Sequence, residues 1–319
     1  MKRPRKFTNP WPNAELDHPG SALLRWQWQR IRYGVPGTPA RGSFPLATPR
    51  MAQPRAPARE CRLTWLGHAS FLAQVGGLNL LFDPVFSRRA SPLAWLGPAR
   101  VTPLPLSPDQ LPPIDAILIS HDHYDHLDER SVRALRDRFD AATWITPLEY
   151  RRWFARRGVH NLIELDWWQS ASLRDTRVTA TPAQHWTRRG WHSHERLWCS
   201  FMIETPSFSL FFGADSGYCP AFTEIGERFG GCDVAMLPIG AYEPRWFMRA
   251  AHMNPEEAVQ SFRDLRARIL VPMHWGTFRL TDEDMREPPV RVRAAWQAAE
   301  LPEAGLRLLQ HGETLILEK

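Results

Sequence analysis

Within six residues, His121-Asp122-His123-Tyr124-Asp125-His126 supplies three imidazoles and two carboxylates. Nitrogen and oxygen donors without a thiolate suit zinc, with manganese or iron as substitutes. The stretch follows the apolar run Ala116-Ile117-Leu118-Ile119-Ser120, which reads as a short buried strand, so the donors sit at a strand's carboxyl end. On extended backbone, His121 and His123 project to the same side. A turn after Tyr124 would bring Asp125 and His126 to face a second point, giving two adjacent metal positions. The four cysteines, Cys61, Cys199, Cys219 and Cys232, have no C-x-x-C spacing, which argues against a zinc knuckle or a redox dithiol.

A hydrolytic dinuclear centre needs about four to five donors per metal, water included, so further ligands must come from elsewhere in the chain. Three candidates share one setting. His185 follows the strand-like run 178–184. Asp215 follows Leu210-Phe211-Phe212-Gly213-Ala214 and precedes Ser216-Gly217. His274 follows Ile269-Leu270-Val271-Pro272-Met273 and precedes Trp275-Gly276-Thr277. Each donor ends an apolar run, where a strand would present it at the rim of a sheet.

The order H-x-H-x-D-H, then a lone His, then Asp in Gly-Ala-Asp-Ser-Gly, then a last His resembles the metallo-β-lactamase superfamily. Further segments resemble the branch of N-acylphosphatidylethanolamine-hydrolysing phospholipase D and its bacterial relatives: Asn9-Pro10-Trp11-Pro12, Thr64-Trp65-Leu66-Gly67-His68-Ala69-Ser70, Leu81-Phe82-Asp83-Pro84-Val85-Phe86, residues 119–128 and Pro272-Met273-His274-Trp275-Gly276-Thr277. The likeness runs over nearly the whole chain. It implies an α/β fold of the αββα sandwich type, two packed mixed β-sheets with helices outside. It also implies that His121, His123 and His185 hold one zinc, that Asp125, His126 and His274 hold the other, and that Asp215 bridges them.

The same resemblance makes Asp83 a carboxylate that orients a metal-bound imidazole; the alternative is a turn-forming Asp before Pro84. His68, in its Gly-His-Ala-Ser turn, is either a structural or a pocket residue. His252 precedes a helix start at Asn254, with Pro255 as first helical residue. Related enzymes carry a similar His-x-x-Pro-Glu-Glu-Ala segment near the site, so His252 would bind substrate or protonate the leaving group. The expected catalytic residues are thus Asp125, Asp215 and His252. His192 and His194 imitate an H-x-H pair but lack the following D-H, and read as a polar loop that could overhang the pocket. His160 carries no signal.

Two zinc ions offset by Asp125, Asp215 and a hydroxide would leave a centre of about +1 with neutral histidines, attractive to anions. A phosphodiester gains most, because negative charge grows on its equatorial oxygens during in-line attack by a metal-bound hydroxide. The chain has no G-x-S-x-G elbow and no G-x-G-x-x-G or P-loop pattern, so serine hydrolase and nucleotide-cradle readings lack support. The expected function is therefore a dinuclear zinc phosphodiesterase of phospholipase D type acting on N-acyl phospholipids. A lactonase, amidase or thioesterase on the same centre is the alternative. Two other readings are weaker: an iron redox protein, whose oxygen-reducing relatives carry Glu where His123 stands, and a silent scaffold, at odds with the full donor set.

The elements that must position these donors read as strands near 61–67, 70–75, 78–82, 116–120, 143–146, 177–182, 199–204, 208–213, 233–238, 268–273 and 306–318, with helices near 129–138, 147–156, 254–266 and 290–300. Strand pairs early and helices interleaved later suit two packed sheets with helices outside. At 43% hydrophobic residues the 319-residue chain has ample material for a core, and no run approaches the ~18 apolar residues of a membrane span.

Residues 61–319 form the expected hydrolase domain. Residues 1–60 form a basic, Pro-rich N-terminal extension with 11 Lys and Arg against 3 Asp and Glu. Within it Leu24, Trp28 and Ile31 fall at i, i+4, i+7 beside a stripe of Arg25, Gln29 and Arg32, an amphipathic helix. Most such helices cover apolar surface on the body. With Trp26, Trp28 and flanking arginines, this one could instead give residues 1–32 peripheral contact with an anionic membrane. The basic start leads into Asn9-Pro10-Trp11-Pro12 rather than an apolar h-region, so the expected location is the cytoplasm, with room for attachment to the inner face of the membrane. The expected partner is a small-molecule or lipid substrate; no recognised nucleic-acid module is present.

Overall fold

The computed structural model describes residues 6–11, 20–190 and 192–319. Two mixed sheets pack face to face. The first contains β1 (Glu60–Gly67), β2 (Ser70–Val75), β3 (Leu78–Phe82), β4 (Ala116–Leu118), β5 (Thr143–Pro147) and β6 (Leu162–Leu165). The second contains β7 (Ser170–Leu173), β8 (Thr176–Thr181), β11 (Ser200–Glu204), β12 (Ser209–Phe212), β13 (Cys232–Pro238) and β14 (Ala267–Met273). A hairpin of β9 (Arg188–Arg189) and β10 (His192–Ser193) stands apart, and β15 (Thr314–Glu318) returns to the first sheet beside β1. The orders are β15-β1-β2-β3-β4-β5-β6 and β14-β13-β12-β11-β8-β7.

Period-two alternation explains how the sheets pack. Leu80 and Phe82 of β3 and Val234 and Met236 of β13 point into the core between the sheets, with Trp65, Phe71, Phe201 and Phe212. The intervening Leu81 faces outward onto Val132, Leu135 and Phe154, which belong to α2 (Glu129–Arg138) and α3 (Arg151–Ala155). Ala235 and Leu237 face α4 (Ala221–Phe229), α6 (Pro255–Asp264) and α7 (Glu287–Ala298), where Phe222, Ile225, Val259, Phe262 and Trp296 complete the layer. A one-turn α5 (Arg245–Met248) precedes α6. The result is the αββα sandwich.

Helix starts follow their capping residues. Asp128 accepts from Arg130 N and Ser131 N at the start of α2. Asn254 and Glu257 form a reciprocal capping box on α6, with Pro255 in its first turn.

Several elements differ from expectation for local reasons. Edge strands β6 and β7 are short, and β7, Ser-Ala-Ser-Leu, is largely polar, so neither carries an apolar alternation. The helix expected over 147–156 is confined to α3 because Glu149 takes a left-handed φ of 74°. The strand expected over 306–318 shrinks to β15, broken by Gly312 at φ 87°. Helix α4 was missed altogether.

Helix α1 (Gly20–Tyr33) forms, but its apolar stripe does not cover the body. Leu24, Trp28 and Ile31 are 72%, 57% and 85% exposed. The opposite face makes the attachment: Trp26 Nε1 donates to Asp282, Arg30 pairs with Asp282 at 3.3 Å, and Trp246 Nε1 donates to Gln29 Oε1 at 3.0 Å. Polar and aromatic anchors, rather than aliphatic ones, fix this helix. Of the N-terminal stretch expected to meet a membrane, residues 1–5 and 12–19 lie outside the described residues. Among the described residues no helix is long and apolar enough to cross a membrane.

Candidate metal centre

The donors gather at one rim of the sandwich, where β4, β8, β12 and β14 end. After β4 the chain turns: His126 N and Leu127 N both donate to His123 O, which swings Asp125 and His126 round toward the second sheet. β8 delivers His185, β12 delivers Asp215 and β14 delivers His274. His274 sits at a left-handed φ of 66°, next to Gly240, where an added Cβ would lie 2.0 Å from His274 O.

Two clusters result, and they share an edge. In the first, His123 Nδ1 lies 3.0 Å from His121 Nε2 and 3.2 Å from His185 Nε2, and Asp215 Oδ2 lies 3.8 Å and 3.9 Å from those same two Nε2 atoms. In the second, Asp125 Oδ2 lies 3.6 Å from both His126 Nε2 and His274 Nε2. Asp215 reaches across, with Oδ2 3.1 Å from His126 Nε2 and Oδ1 3.1 Å from His274 Nε2.

The arrangement fits cations. His126 Nε2, His274 Nε2 and Asp215 Oδ1 are buried without a properly aligned hydrogen bond, although His274 Nε2 lies 3.1 Å from Asp215 Oδ1 and His126 Nε2 lies 3.1 Å from Asp215 Oδ2. Buried polar atoms are ordinarily satisfied, so atoms aimed at shared points rather than at each other are what ligands to a common ion look like. The donor set, imidazole nitrogen plus carboxylate oxygen, suits zinc, manganese or iron.

The other ring nitrogens are tied down. His126 Nδ1 donates to Asp83 at 2.7 Å, and His185 Nδ1 donates to Ala251 O at 3.0 Å. His121 Nδ1 lies 2.9 Å from Ser120 Oγ, whose hydroxyl donates to Asp83. Such partners fix tautomer and ring orientation. Burial, reinforced by the neighbouring imidazoles, holds His121 well below the usual histidine range, and burial holds His185 down to about 3 and His123 to about 4, so these rings are neutral at physiological pH. Burial opposes charge on His126 and His274 too. There the carboxylates Asp215 and Asp125 outweigh it, lifting His274 to about 9 and His126 well above its ordinary value. Burial would raise both carboxylates, but the surrounding imidazoles keep Asp125 and Asp215 well below the usual range.

A cavity of about 560 Å³ opens over the clusters, with His123, Asp125, Asp215 and His252 at its floor. Leu23, Trp26, Phe247, Met248 and Leu280 make one wall. Tyr124, Trp186, Arg188, Ser193 and His194 also line it. His252 is buried, with Nδ1 4.0 Å from Asp215 Oδ2 and its carbonyl held by Arg245. Burial lowers it to about 3, so it meets the cavity as a neutral imidazole.

His194 does overhang the cavity, carried by the β9–β10 hairpin rather than by an irregular loop. The His192 side chain lies outside the described residues, as does Trp191. His160 is exposed, in the connection between α3 and β6. The abundance of Trp and Phe is compatible with an apolar entrance, but the sequence did not identify which residues form this wall; Trp186, next to the donor His185, was a local signal for it.

Residues 78–275 match the family described as Beta-lactamase superfamily domain. The chain belongs to the metallo-β-lactamase superfamily. Homologues 38% and 31% identical to it are named as a phospholipase D and a metal-dependent hydrolase, and the chain is a metal-dependent hydrolase. It is 39% identical over 273 residues to an uncharacterised protein of Mycobacterium tuberculosis, covering 84% of this chain and 72% of that one. It is 38% identical over 249 residues to N-acyl-phosphatidylethanolamine-hydrolyzing phospholipase D 1 of Caenorhabditis elegans, covering 74% and 70% respectively. The superfamily fold is also seen in Igni18, a metallo hydrolase of Ignicoccus hospitalis, with a TM-score of 0.63, 23% identity and coverage of 82% of this chain and 99% of that one.

Proposed function

We propose that this chain is a dinuclear zinc phosphodiesterase of phospholipase D type that acts on N-acyl phospholipids or related diesters. The observation that carries this reading is the likeness to the nematode N-acyl-phosphatidylethanolamine-hydrolyzing phospholipase D over most of both chains. The aromatic and aliphatic wall of the cavity, able to accept acyl chains beside the polar floor, supports it.

His121, His123 and His185 would hold one zinc and Asp125, His126 and His274 the other, with Asp215 shared between them. When bound, the cations supply a water of pKa roughly 7 and neutralise charge developing on the phosphoryl oxygens. Asp215, held between both clusters, keeps the two donor sets in register. His252, neutral at the cavity floor, suits hydrogen bonding to a substrate oxygen better than acting as a cationic acid. Asp83 keeps His126 and, through Ser120, His121 in the ligating orientation.

The substrate would be met at a lipid surface on the cytoplasmic side of the membrane. Leu23 and Trp26 of α1 line the cavity, while Leu24, Trp28 and Ile31 of the same helix point outward beside Arg25 and Arg32. The loop around Ala90, another lining residue, exposes Leu93, Trp95 and Leu96. Apolar side chains flanked by arginines at the mouth of the cavity match an anionic bilayer interface.

The test is hydrolysis by zinc-loaded protein of N-acylphosphatidylethanolamine in vesicles, of a soluble aryl phosphodiester, and of lactone and thioester panels. Release of phosphatidic acid is expected. Turnover of lactones or thioesters with both phosphodiesters intact would move the assignment to carbonyl substrates.

A further inference from the structure

We infer that His68 is a positioning residue that sets the affinity of the second cation position alone; this rests on the two-cation reading above. His68 lies in the tight turn between β1 and β2, is 1% exposed, and does not line the cavity. Its side chain and backbone hold two different residues of one cluster. Nε2 lies 2.9 Å from Asp125 Oδ2, and the His68 carbonyl accepts from His274 N at 3.0 Å. Its ring also lies against that of His274, with centroids 3.8 Å apart.

The turn itself is built to deliver this grip. His68 takes a left-handed φ of 54°, a conformation that costs free energy in a non-glycine residue and persists only when its surroundings fix it. They do so on three sides: Thr277 Oγ1 accepts the His68 N–H at 2.7 Å, Trp65 Nε1 donates to the His68 carbonyl at 2.8 Å, and Phe278 packs edge-on to the ring. Thr277 and Phe278 lie three and four residues after His274 in sequence. The His68 turn and the His274 loop therefore brace each other.

His68 Nδ1 has no hydrogen-bond partner, so the tautomer that satisfies the network carries its proton on Nε2 and donates it to Asp125. The oxygen that takes this proton, Asp125 Oδ2, is the one that lies 3.6 Å from both His126 Nε2 and His274 Nε2, so His68 fixes the carboxylate atom that faces the second donor set. None of the described contacts of His68 involves His121, His123 or His185.

The experiment is a cobalt and zinc titration of metal-free full-length protein, with stoichiometry by elemental analysis and the two positions followed through the visible bands of cobalt. Wild type should take two equivalents per chain. H68L, lacking the donor, should keep the first equivalent at unchanged affinity and bind the second about 10–100-fold more weakly, the range for loss of a ligand-orienting partner. H68Q, whose amide can donate from a similar position, should recover most of the second-site affinity. If H68L does not fold, H68G replaces it, since glycine accepts the left-handed φ and keeps the backbone tether to His274. Unchanged binding of both equivalents in H68L or H68G, equal weakening of both, or failure of H68Q to recover the second would overturn the inference. Uptake of a single equivalent by wild type would instead overturn the two-cation reading.

Discussion

Asp83 accepts the Nδ1 proton of His126 at 2.7 Å, and the same carboxylate takes the Ser120 hydroxyl that touches His121, so one buried acid orients an imidazole in each cluster. Asp83→Ala should therefore weaken both cation positions, by about 10–100-fold, in contrast to the single-site effect expected at His68. Calorimetric titration with zinc checks this. Wild-type affinities at both positions would show Asp83 to be only a turn residue before Pro84.

Asp215 is the residue common to both clusters. Asp215→Asn removes a negative charge from between the donor sets and is expected to lower metal content and to cost at least tenfold in turnover. His192→Ala, on the hairpin, should change turnover less than twofold. Equal losses in the two variants would give the hairpin histidine a role in the chemistry.

Gly240 leaves no room for a side chain, because a Cβ would meet the backbone oxygen of His274 at 2.0 Å. Gly240→Ala should displace the His274 loop. The expected result is a loss of about 2 kcal/mol or more in stability, the range for forced overpacking, together with reduced metal retention. Chemical denaturation with elemental analysis measures both.

Metal-free protein should lose stability in acid. Burial puts His68, His185, His252 and His311 at about 3 and His123 at about 4, below the histidine value of an unfolded chain. The unfolded chain then binds more protons as pH falls below about 6.5, so the stabilisation these groups give at neutral pH drains away toward pH 4. Asp125 and Asp215, held low, act in the same direction at still lower pH. His274, raised to about 9, does the reverse: its contribution is complete below pH 6.5 and fades as pH rises through 9. Thermal melts of chelator-treated protein should accordingly show the midpoint falling between pH 6.5 and 4; a flat or rising midpoint would contradict these protonation states.

If α1 meets a bilayer, replacing Leu24, Trp28 and Ile31 together by Ser should reduce co-sedimentation with anionic vesicles several-fold. Turnover of a soluble phosphodiester should stay within twofold of wild type. Undiminished vesicle binding would remove α1 from the lipid-facing surface, and a switch from dimer to monomer in the variant would assign the stripe to a second copy of the chain.

The sequence told most where chemistry and periodicity coincide. The candidate donors were legible because each stands just after a buried strand, where a run of core residues gives way to a polar turn, as at the ends of β4, β8, β12 and β14. Asn254-Pro255 with Glu257 announced α6 through capping chemistry. Less legible were β6 and β7, edge strands stabilised by neighbours rather than by their own pattern. The direction of α1 was hidden as well: its spacing showed which residues form a stripe, but only Asp282, Gln29 and Trp246 decide which side faces the body. The cavity wall was invisible for a related reason, since Leu23, Trp26, Phe247 and Leu280 come from three separate stretches of chain.

Donors arise from both layers of the sandwich: the 121–126 loop from one sheet, His185, Asp215 and His274 from the other. An ion held by both donor sets would couple its binding to the packing of one sheet on the other. Each ion held there would act as a rivet through the two layers, its binding free energy adding to the resistance of the whole molecule to unfolding.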